Sequence, residues 1–229
     1  MPDRIDEETD PTLTLLAGPN GAGKSSFTKF FRENGLIECP VVNIDALEID
    51  ESMLPYDPMR YFIERRKALH KIFRLLCEDA VKDRRDFSFE CNLRYDQLIN
   101  IDLFDEGRYK INLIFLWLND VSISHKRVQK RVANNGHYVG KDSIERNYCE
   151  GLKNLDQHFR DWDSIYIFDN STDFGTDLPI IFFISQGDVY LLSKKYDKEY
   201  LKAKFPNIME EYCSKKANNI TATIREELP

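Results

Sequence analysis

The sequence predicts an α/β fold in which helices flank a parallel β-sheet. From Thr12 onward, short β-rich segments alternate with segments of helical periodicity, and parallel strands need helical crossovers of this kind. The run "INLIFLWL" is apolar throughout, which is typical of a central strand buried on both faces. A glycine-rich stretch, "GPNGAGKS", lies directly between a predicted strand and a predicted helix. We therefore expect a sheet with a binding site at the carboxyl ends of its strands.

The strands are predicted from apolar and β-branched runs between turn residues. In chain order they are "LTLLA", "VVNI", "DFSFE", "INLIFLWL" and "SIYIFDN". The later segment "PIIFFISQGDVYLL" has two β runs around "QGD" and therefore predicts a C-terminal β-hairpin.

The helices are predicted from spacing and from their end signals. The segment from Pro55 to Arg85 has apolar residues three, four or seven apart, which indicates a long helix, with a break near its start left open. "YDQLINIDLF" predicts a further helix. "VSISHKRVQKRV" and the segment from Asp142 to about His158 predict two helices around the turn "NNG". "KEYLKAKFPNIMEEYCSKK" has helical character.

These elements divide the chain into three parts. We expect a flexible leader over residues 1–11, a main domain over residues 12–195 and a helical extension over residues 196–229. A chain of 229 residues that is 42% hydrophobic can fill the core of one such domain.

Composition argues against two classes of function. A net charge of −7 is unsuited to a sequence-independent nucleic-acid binder, which needs a broad positive surface. The N-terminus is acidic, unlike a secretory signal, and the apolar runs are too short to span a bilayer. The five scattered cysteines show no C-x-x-C spacing and favour reduced thiols. We expect a cytoplasmic protein without a nucleic-acid or membrane partner.

The glycine-rich stretch fits the pattern G-x-x-x-x-G-K-[ST] of a P-loop NTPase. Its backbone N–H groups would surround phosphate oxygens, Lys24 would reach the β- and γ-phosphates, and the Ser25 hydroxyl would bind Mg²⁺. Because the chain lacks the usual guanine-reading [NT]-K-x-D element, ATP is the expected nucleotide. The predicted nucleotide-binding residues are Gly18, Pro19, Asn20, Gly21, Ala22, Gly23, Lys24, Ser25 and Ser26.

Two carboxylates follow predicted strands. Asp45 comes after "VVNI" and Glu90 ends "DFSFE", so both could face the γ-phosphate. Transfer to a hydroxyl needs a proton acceptor, and we interpret Asp45 as that base, with a helix N-cap as its alternative role. Glu90 could bind substrate, could hold the metal through water, or could be a partly exposed acid without function.

Residues 126–153 form a local cationic segment in an acidic chain. They contain seven Lys or Arg against three acids. Two helices joined by "ANNGHYVG" suggest the mobile lid of a small kinase, which brings arginines to the transferred phosphoryl group and excludes water. Arg127 and Arg131 are four residues apart and can point at one anion. Each arginine could instead be structural, and His137 fits a surface role better than catalysis.

Together these motifs resemble the zeta toxin family of P-loop kinases. The resemblance runs from about Leu13 to Asn170 and depends on "AGPNGAGKSSF", "NID", "FSFECNLR", "FLWL", "RVQKRVANNGHYVGKDSIERNY" and "NLDQHF". It implies an ATP- and Mg²⁺-dependent kinase that phosphorylates a hydroxyl, which in the toxins is the 3′-hydroxyl of the sugar in UDP-N-acetylglucosamine. It also implies a possible protein antitoxin as a partner.

The resemblance assigns roles to individual residues. Lys24 and Ser25 correspond to the phosphate and metal ligands, and Asp45 corresponds to the base. Glu90, Asn92 and Arg94 match the substrate-contacting E-x-T-L-R stretch, while Arg131 and Arg146 are candidates for the arginines that bind the γ-phosphate. Two positions depart from the family pattern. Asn92 replaces threonine and so has two donors where a hydroxyl has one. Gly140 stands where short relatives often have proline.

Three hypotheses about the function follow from these observations. The first is a kinase for a small hydroxyl compound, with a nucleotide sugar as the favoured acceptor. The second is an ATP-binding switch or toxin–antitoxin interaction protein whose output is a protein contact. The third keeps the kinase but changes the acceptor to an ordinary metabolite, another nucleotide or an RNA end, of which RNA is disfavoured by the acidic composition.

Overall fold

The computed structural model of the chain describes residues 10–98, 101–134, 136–172 and 178–226. Most of the predicted leader, residues 1–9, lies outside the described residues. Within the described ranges the chain folds into a central β-sheet with helices packed on both faces. This confirms the predicted α/β class.

The sheet has seven strands in the part of the chain that the structure describes: β1 Thr12–Ala17, β2 Val41–Asn43, β3 Phe87–Cys91, β4 Lys110–Trp117, β5 Ser164–Asp169, β6 Ile180–Ser185 and β7 Asp188–Leu191. Their order in the sheet is β2-β3-β1-β4-β5-β6-β7. The first five are parallel, whereas β6 and β7 form the predicted antiparallel hairpin beside β5. The carboxyl ends of β1, β2 and β3 therefore meet at one edge, where the predicted site residues follow the strands.

Alternating side chains of the central strands supply two hydrophobic layers. Leu13 and Leu15 of β1 are fully buried on one face, where Phe73 also packs. Leu16 faces the opposite layer and meets Phe31 there. Because successive side chains of a strand point to opposite faces, an all-apolar strand must be covered on both sides.

The helices agree with the predicted segments except at their ends and breaks. The long helix begins at Pro58, because the Asp57 side chain accepts a hydrogen bond of 2.8 Å from the Arg60 N–H and Pro58 occupies the first turn. It continues without a break, and short 3₁₀ turns at Ile44–Ala46 and Glu51–Met53 precede it. The helices are α1 Lys24–Glu33, α2 Pro58–Lys82, α3 Tyr95–Leu98, α4 Ile101–Glu106, α5 Val121–Ala133, α6 Lys141–Gln157, α7 Lys198–Lys204 and α8 Pro206–Glu226.

The predicted helix "YDQLINIDLF" is helical over its described residues, which belong to α3 and α4; residues 99 and 100 lie outside the described ranges. The C-terminal helical segment divides into α7 and α8 at Phe205, because proline disfavours the helical conformation of the residue before it and cannot continue the preceding helix.

The beginning of the C-terminal segment packs into the main core. Leu201, Phe205 and Ile208 are fully buried, and the Phe205 ring lies 5.4 Å from Trp117 and 5.5 Å from Phe182, centroid to centroid. α7 and the first turns of α8 therefore help to complete the hydrophobic layer on one face of the sheet.

Asp156 of α6 holds the first turn of α8. Its carboxylate accepts hydrogen bonds from the Asn207 N–H at 3.1 Å, the Asn207 side-chain amide at 2.7 Å and the Ile208 N–H at 3.0 Å, and only 3% of the residue is exposed. We expect Asp156→Ala to lower the free energy of unfolding by about 2–3 kcal/mol, because the first turn of α8 loses its cap and the buried Ile208 N–H loses its partner. Urea unfolding measures this. The control is Glu210→Ala, which replaces an exposed acid of α8 and should change the free energy of unfolding by less than about 0.5 kcal/mol. Equal losses in both variants would contradict the capping role.

All five cysteines are free thiols. Burial raises the pKa of Cys77 to about 12 and that of Cys91 to about 11, so both thiols stay protonated at neutral pH. Over the described ranges, none of the helices combines the length and apolar character that crossing a membrane requires.

Candidate active site

The glycine-rich stretch forms a tight turn between β1 and α1. The backbone φ angles are 146° at Gly18 and 91° at Gly23, values that residues with a Cβ rarely adopt. A Cβ at Gly18 would lie 2.5 Å from the Leu116 carbonyl oxygen, and one at Gly23 would lie 2.8 Å from Nδ2 of Asn170. Both glycines are therefore needed to place the loop against β4 and the end of β5. The loop leads into the N-terminus of α1, which favours an anion.

Neighbouring elements brace this loop from outside. The Ser124 hydroxyl donates to the Asn20 carbonyl oxygen, and Asn147 Nδ2 donates to Asn20 Oδ1 at 2.7 Å. Arg127 Nη1 donates to the Gly21 carbonyl oxygen at 3.2 Å. The two helices of the predicted lid, α5 and α6, thus both hydrogen-bond to the loop.

The remaining predicted nucleotide-binding residues are Pro19, Ala22 and Ser26. The Ala22 N–H donates to the Pro19 carbonyl oxygen at 3.1 Å, and both residues are buried. Ser26 is exposed on the first turn of α1. The predicted phosphate loop thus comprises the turn after β1 and the first three residues of α1.

Lys24 connects this loop to the end of β3. Its ammonium donates to the Gly18 carbonyl oxygen at 2.7 Å, to the Pro19 carbonyl oxygen at 3.3 Å and to Asn92 Oδ1 at 3.0 Å. Burial lowers the pKa of the Lys24 ammonium, while the Glu90 carboxylate acts in the opposite direction. The amide that replaces the family threonine therefore contacts the predicted phosphate-binding lysine directly.

Ser25 and Glu90 form a second link between the loop and β3. The Ser25 hydroxyl donates to Glu90 Oε2 at 3.0 Å. A hydroxyl beside a carboxylate provides the hard oxygen ligands that Mg²⁺ prefers. Among the described residues there is no group of three or more His, Cys, Asp or Glu that could hold a metal by itself.

Asp45 follows β2 on a 3₁₀ turn and is exposed. The N-cap of that turn is Asn43, whose Oδ1 accepts the Asp45 N–H at 2.9 Å, so the capping role belongs to the asparagine. Across the described ranges the Asp45 carboxylate has neither a hydrogen bond nor an ion pair, and it is close enough to Lys24 to raise the lysine pKa. Its carboxylate is therefore available to a ligand.

A cleft of about 570 Å³ opens beside the phosphate loop. It brings together six predicted site residues, which lie at or after the ends of three different strands: Asn20, Lys24, Asp45, Glu90, Asn92 and Arg94. Because basic side chains and carboxylates both line the cleft, it can hold an anionic compound while keeping a carboxylate near its hydroxyl groups. Other side chains of the cleft come from α2 and the lid turn, and they include Phe62, Arg65, Arg66, His70, His137 and Tyr138.

The turn that carries Asn92 and Arg94 is held by polar contacts. Gln97 Oε1 accepts the N–H of Asn92 at 2.9 Å and that of Arg94 at 3.2 Å. Asn154 Nδ2 donates to the Leu93 carbonyl oxygen at 2.8 Å. Leu93 has a φ of 60°, so these contacts stabilise an unfavourable backbone conformation.

Gly151 allows α6 to approach this turn. A Cβ there would lie 2.3 Å from the Asn92 carbonyl oxygen, a distance at which backbone must move. We expect Gly151→Ala to lower the free energy of unfolding by about 1–3 kcal/mol and to displace Asn92, with a loss of activity. Thermal unfolding and turnover test this. Gly140→Ala is the control, because nothing lies within 4 Å of a Cβ at that position; an unchanged Gly151→Ala protein would contradict the close packing.

The cationic residues of the lid have different partners. Arg127 donates to the Gly21 carbonyl oxygen and, at 2.9 Å, to that of Thr172. Arg131 donates to the His137 carbonyl oxygen at 2.9 Å. Arg146 is exposed on α6, and neither Arg131 nor Arg146 lines the cleft. Arg127 and Arg131 thus donate to different carbonyl groups, although Arg131 is close enough to Lys24 to lower the pKa of the lysine.

Sequence reasoning missed several residues that shape the site. Asn43, Gln97 and Asn154 hold its turns, and Arg65, Arg66 and His70 of α2 form one wall. Gln97 lies three residues after the Arg94 N-cap of α3 and reaches back to its N–H, which is half of a capping box. That spacing could have been recognised in the sequence. The charged residues of α2, in contrast, have the pattern of an ordinary solvent-exposed helix face.

Comparison with known proteins identifies related sequences. Residues 2–174 match the family model described as Zeta toxin. An uncharacterized protein of Haemophilus influenzae is 24% identical over 135 residues, which cover 58% of this chain and 90% of that protein.

Solved structures agree with the fold described above. A chain of the PezAT chromosomal toxin-antitoxin system of Streptococcus pneumoniae aligns with a TM-score of 0.54 and 14% identity, covering 94% of this chain and 88% of that one. A chain of the AvrRxo1-ORF1:AvrRxo1-ORF2 complex with ATP aligns with a TM-score of 0.54 and 14% identity, covering 89% and 76% respectively. At these identities the similarity establishes a shared fold.

Proposed function

The chain belongs to the zeta toxin family, and on that premise we propose that it is an ATP- and Mg²⁺-dependent kinase of a small hydroxyl compound. The favoured acceptor is a nucleotide sugar, in particular UDP-N-acetylglucosamine. The observation that supports this most strongly is the cleft beside the phosphate loop, in which Asp45 and Glu90 lie with Lys24.

The loop and its lysine account for binding of the nucleotide. The backbone N–H groups of residues 18–25 would surround the phosphate oxygens, and the Lys24 ammonium would neutralise charge on the β- and γ-phosphates. Ser25 and Glu90 would hold Mg²⁺ directly or through water. When bound, Mg²⁺ supplies neutralisation of the phosphate charge that develops during transfer. An ATP complex exists for the structurally similar AvrRxo1 protein pair.

Asp45 accounts for activation of the acceptor. In the proposed step the acceptor oxygen forms a bond to the γ-phosphorus while its proton passes to the Asp45 carboxylate. The bond between the γ-phosphorus and the bridging oxygen breaks, and ADP leaves. The absence of a protein partner for this carboxylate among the described residues is consistent with such a role.

The cleft supports an acceptor that carries negative charge. The basic side chains that line the cleft include Arg65, Arg66 and His70 of α2, together with Arg94. Arg94 lies 3.6 Å from Glu150 and donates to Asn147 Oδ1 at 3.4 Å, so its guanidinium is held near the cleft. Guanidinium groups bind phosphates in bidentate fashion. Glu90, Asn92 and Arg94 remain the proposed substrate contacts, and Arg131 and Arg146 the proposed γ-phosphate ligands after closure of the lid.

A protein antitoxin is a further proposed partner. The PezAT structure is described as part of a toxin-antitoxin system, and this chain, which matches the Zeta toxin family model, shares its fold. Binding of such a partner would not replace the kinase reaction but would restrict it.

The test is a transfer assay with a panel of acceptors. The full chain is incubated with ATP, Mg²⁺, UDP-sugars and small alcohols, and mass spectrometry detects addition of one phosphoryl group. We expect a phosphorylated UDP-sugar from the unaltered chain and about 10²–10³-fold less of it from Lys24→Ala. Phosphorylation of a different compound would change the acceptor only. ATP consumption or binding without any phosphorylated acceptor would support the alternative of a nucleotide-dependent switch.

A further inference from the structure

A polar cluster at the end of β5 lies outside the proposed catalytic groups. The Asp169 carboxylate is 2% exposed and accepts hydrogen bonds from Lys195 Nζ at 2.5 Å, the Tyr196 hydroxyl at 2.9 Å and the Ser171 N–H at 2.9 Å. The Ser171 hydroxyl donates to the same carboxylate. Two residues that follow β7 thus bind the buried acid that ends β5.

The residues after Asp169 contact the phosphate loop. Asn170 Nδ2 donates to the Ala22 carbonyl oxygen at 2.8 Å. The Thr172 carbonyl oxygen accepts from Arg127, which also donates to the Gly21 carbonyl oxygen. The segment 169–172 is therefore fixed to the C-terminal part at one end and to the loop at the other.

Lys195 and Tyr196, the two residues that bind Asp169, form a C-terminal anchor that is fixed to the core through Tyr196. Tyr196 stacks on Tyr200 with ring centroids 5.1 Å apart and lies edge-on to Trp117 at 5.2 Å. Asn119 Nδ2 donates to the Tyr196 hydroxyl at 3.3 Å, and the Asn119 N–H donates to the Ser171 hydroxyl oxygen at 2.9 Å. Movement of this anchor would consequently shift residues 169–172.

Charge compensation makes Lys195 the main determinant of this arrangement. Burial alone would raise the pKa of Asp169, but hydrogen bonds from Lys195, Ser171 and Tyr196 hold the pKa below its usual value. Removing the lysine would leave a buried carboxylate without its cation, which is costly, so Asp169 would take up a proton or turn toward water. Either change weakens its hold on Ser171.

We propose that Lys195 is a positioning residue for the nucleotide site. Through Asp169 it fixes residues 170–172, which in turn hold the carbonyl groups of Gly21 and Ala22 so that the loop N–H groups face the phosphates. Lys195 and Tyr196 thereby contribute to nucleotide binding without contacting the nucleotide. This inference rests on the proposed binding of ATP to residues 18–25.

The experiment compares the ATP affinity of full-length variants by isothermal titration calorimetry with Mg²⁺. We expect Lys195→Ala to bind ATP about three- to tenfold more weakly, because the lost charge-assisted hydrogen bond acts on the loop only indirectly, through residues 169–172. Lys194→Ala removes the same charge from the adjacent, exposed residue and should bind ATP as the unaltered chain does. Lys195→Arg should restore most of the affinity. Tyr196→Phe, which keeps the ring stacking, should weaken binding in the same direction.

Two further measurements separate positioning from a general loss of stability. Hydrogen exchange of the Ser171 amide should accelerate in Lys195→Ala, whereas the KM for the acceptor should stay unchanged. An equal ATP affinity of Lys195→Ala and the unaltered chain would overturn this inference and leave the proposed function intact. A failure of the unaltered chain to bind ATP would instead overturn the proposed function.

Discussion

Replacing Asp45 by asparagine is expected to reduce phosphoryl transfer about 10²–10⁴-fold, the range of a lost general base. Asparagine has nearly the same shape but cannot accept the proton of the acceptor hydroxyl at neutral pH. Because Asp45 is exposed and its N–H, not its carboxylate, makes the turn contact with Asn43, the fold and the ATP affinity should be unaffected. The measurements are turnover with the phosphorylated acceptor as readout and calorimetric ATP binding.

A matched control for this substitution is Glu48→Gln. Glu48 is an exposed acid three residues away without a hydrogen bond or ion pair to the residues that the structure describes. It should retain full turnover. If Asp45→Asn were as active as the control, Asp45 would not be the base, and the reading of the chain as a switch would gain support.

Replacing Lys24 by alanine is expected to lower turnover about 10²–10³-fold and to weaken ATP binding. The ammonium is the cation that the loop places next to the phosphates, and its removal also releases Asn92 from its 3.0 Å contact. The effect should therefore appear both in the affinity for ATP and in the rate, in contrast to Asp45→Asn. Single-turnover kinetics at saturating ATP separates the two contributions.

Lys29→Ala is the control for Lys24. Lys29 lies on the same helix, its side chain is 85% exposed, and its ion pair with Glu33 is a surface contact. Its replacement should alter neither ATP affinity nor turnover. Full activity of Lys24→Ala would mean that the triphosphate is bound elsewhere.

Much of the fold could be predicted because the relevant signals are local. The all-apolar strand β4 and the strand–glycine–helix sequence at residues 12–33 determine the centre of the sheet, since each reflects burial or backbone geometry within a few residues. The hairpin of β6 and β7 was predictable from "QGD", where Gln186 and Gly187 have φ angles of 47° and 79°. Helix ends were less predictable: the Asp57–Pro58 cap sets the start of α2, and Pro206 divides the C-terminal segment.

The candidate site could be predicted only where residues follow strands. Asp45, Glu90 and Asn92 come directly after β2 or at the end of β3, and the parallel sheet brings these strand ends together. The α2 wall could not be predicted, because its arginines and histidine reach the cleft through the packing of a long helix, which leaves no short-range signal. The contact between Asn154 and Leu93 joins residues 61 positions apart and is equally invisible in the sequence.

In the predicted lid, the helices could be predicted but the contacts of their side chains could not. Periodicity correctly gave two helices around a turn, but helical spacing does not determine which partner a long side chain takes. Arg127 contacts the phosphate loop, whereas Arg131, one turn later, contacts the lid turn at His137. Arg131 is nevertheless close enough to Lys24 to lower the pKa of the lysine. The proposed binding of Arg131 and Arg146 to the γ-phosphate stays a prediction.

The central claim is that the loop at residues 18–25 binds the triphosphate while Asp45 faces the group to be transferred. The most direct measurement is a crystal structure of the chain with Mg²⁺ and a non-hydrolysable ATP analogue. The account predicts phosphate oxygens within hydrogen-bond distance of the loop N–H groups and of Lys24, with the Asp45 carboxylate directed at the γ-phosphate side of the cleft. A loop without nucleotide at saturating analogue, or an Asp45 carboxylate bound to other protein groups away from the phosphate, would contradict it.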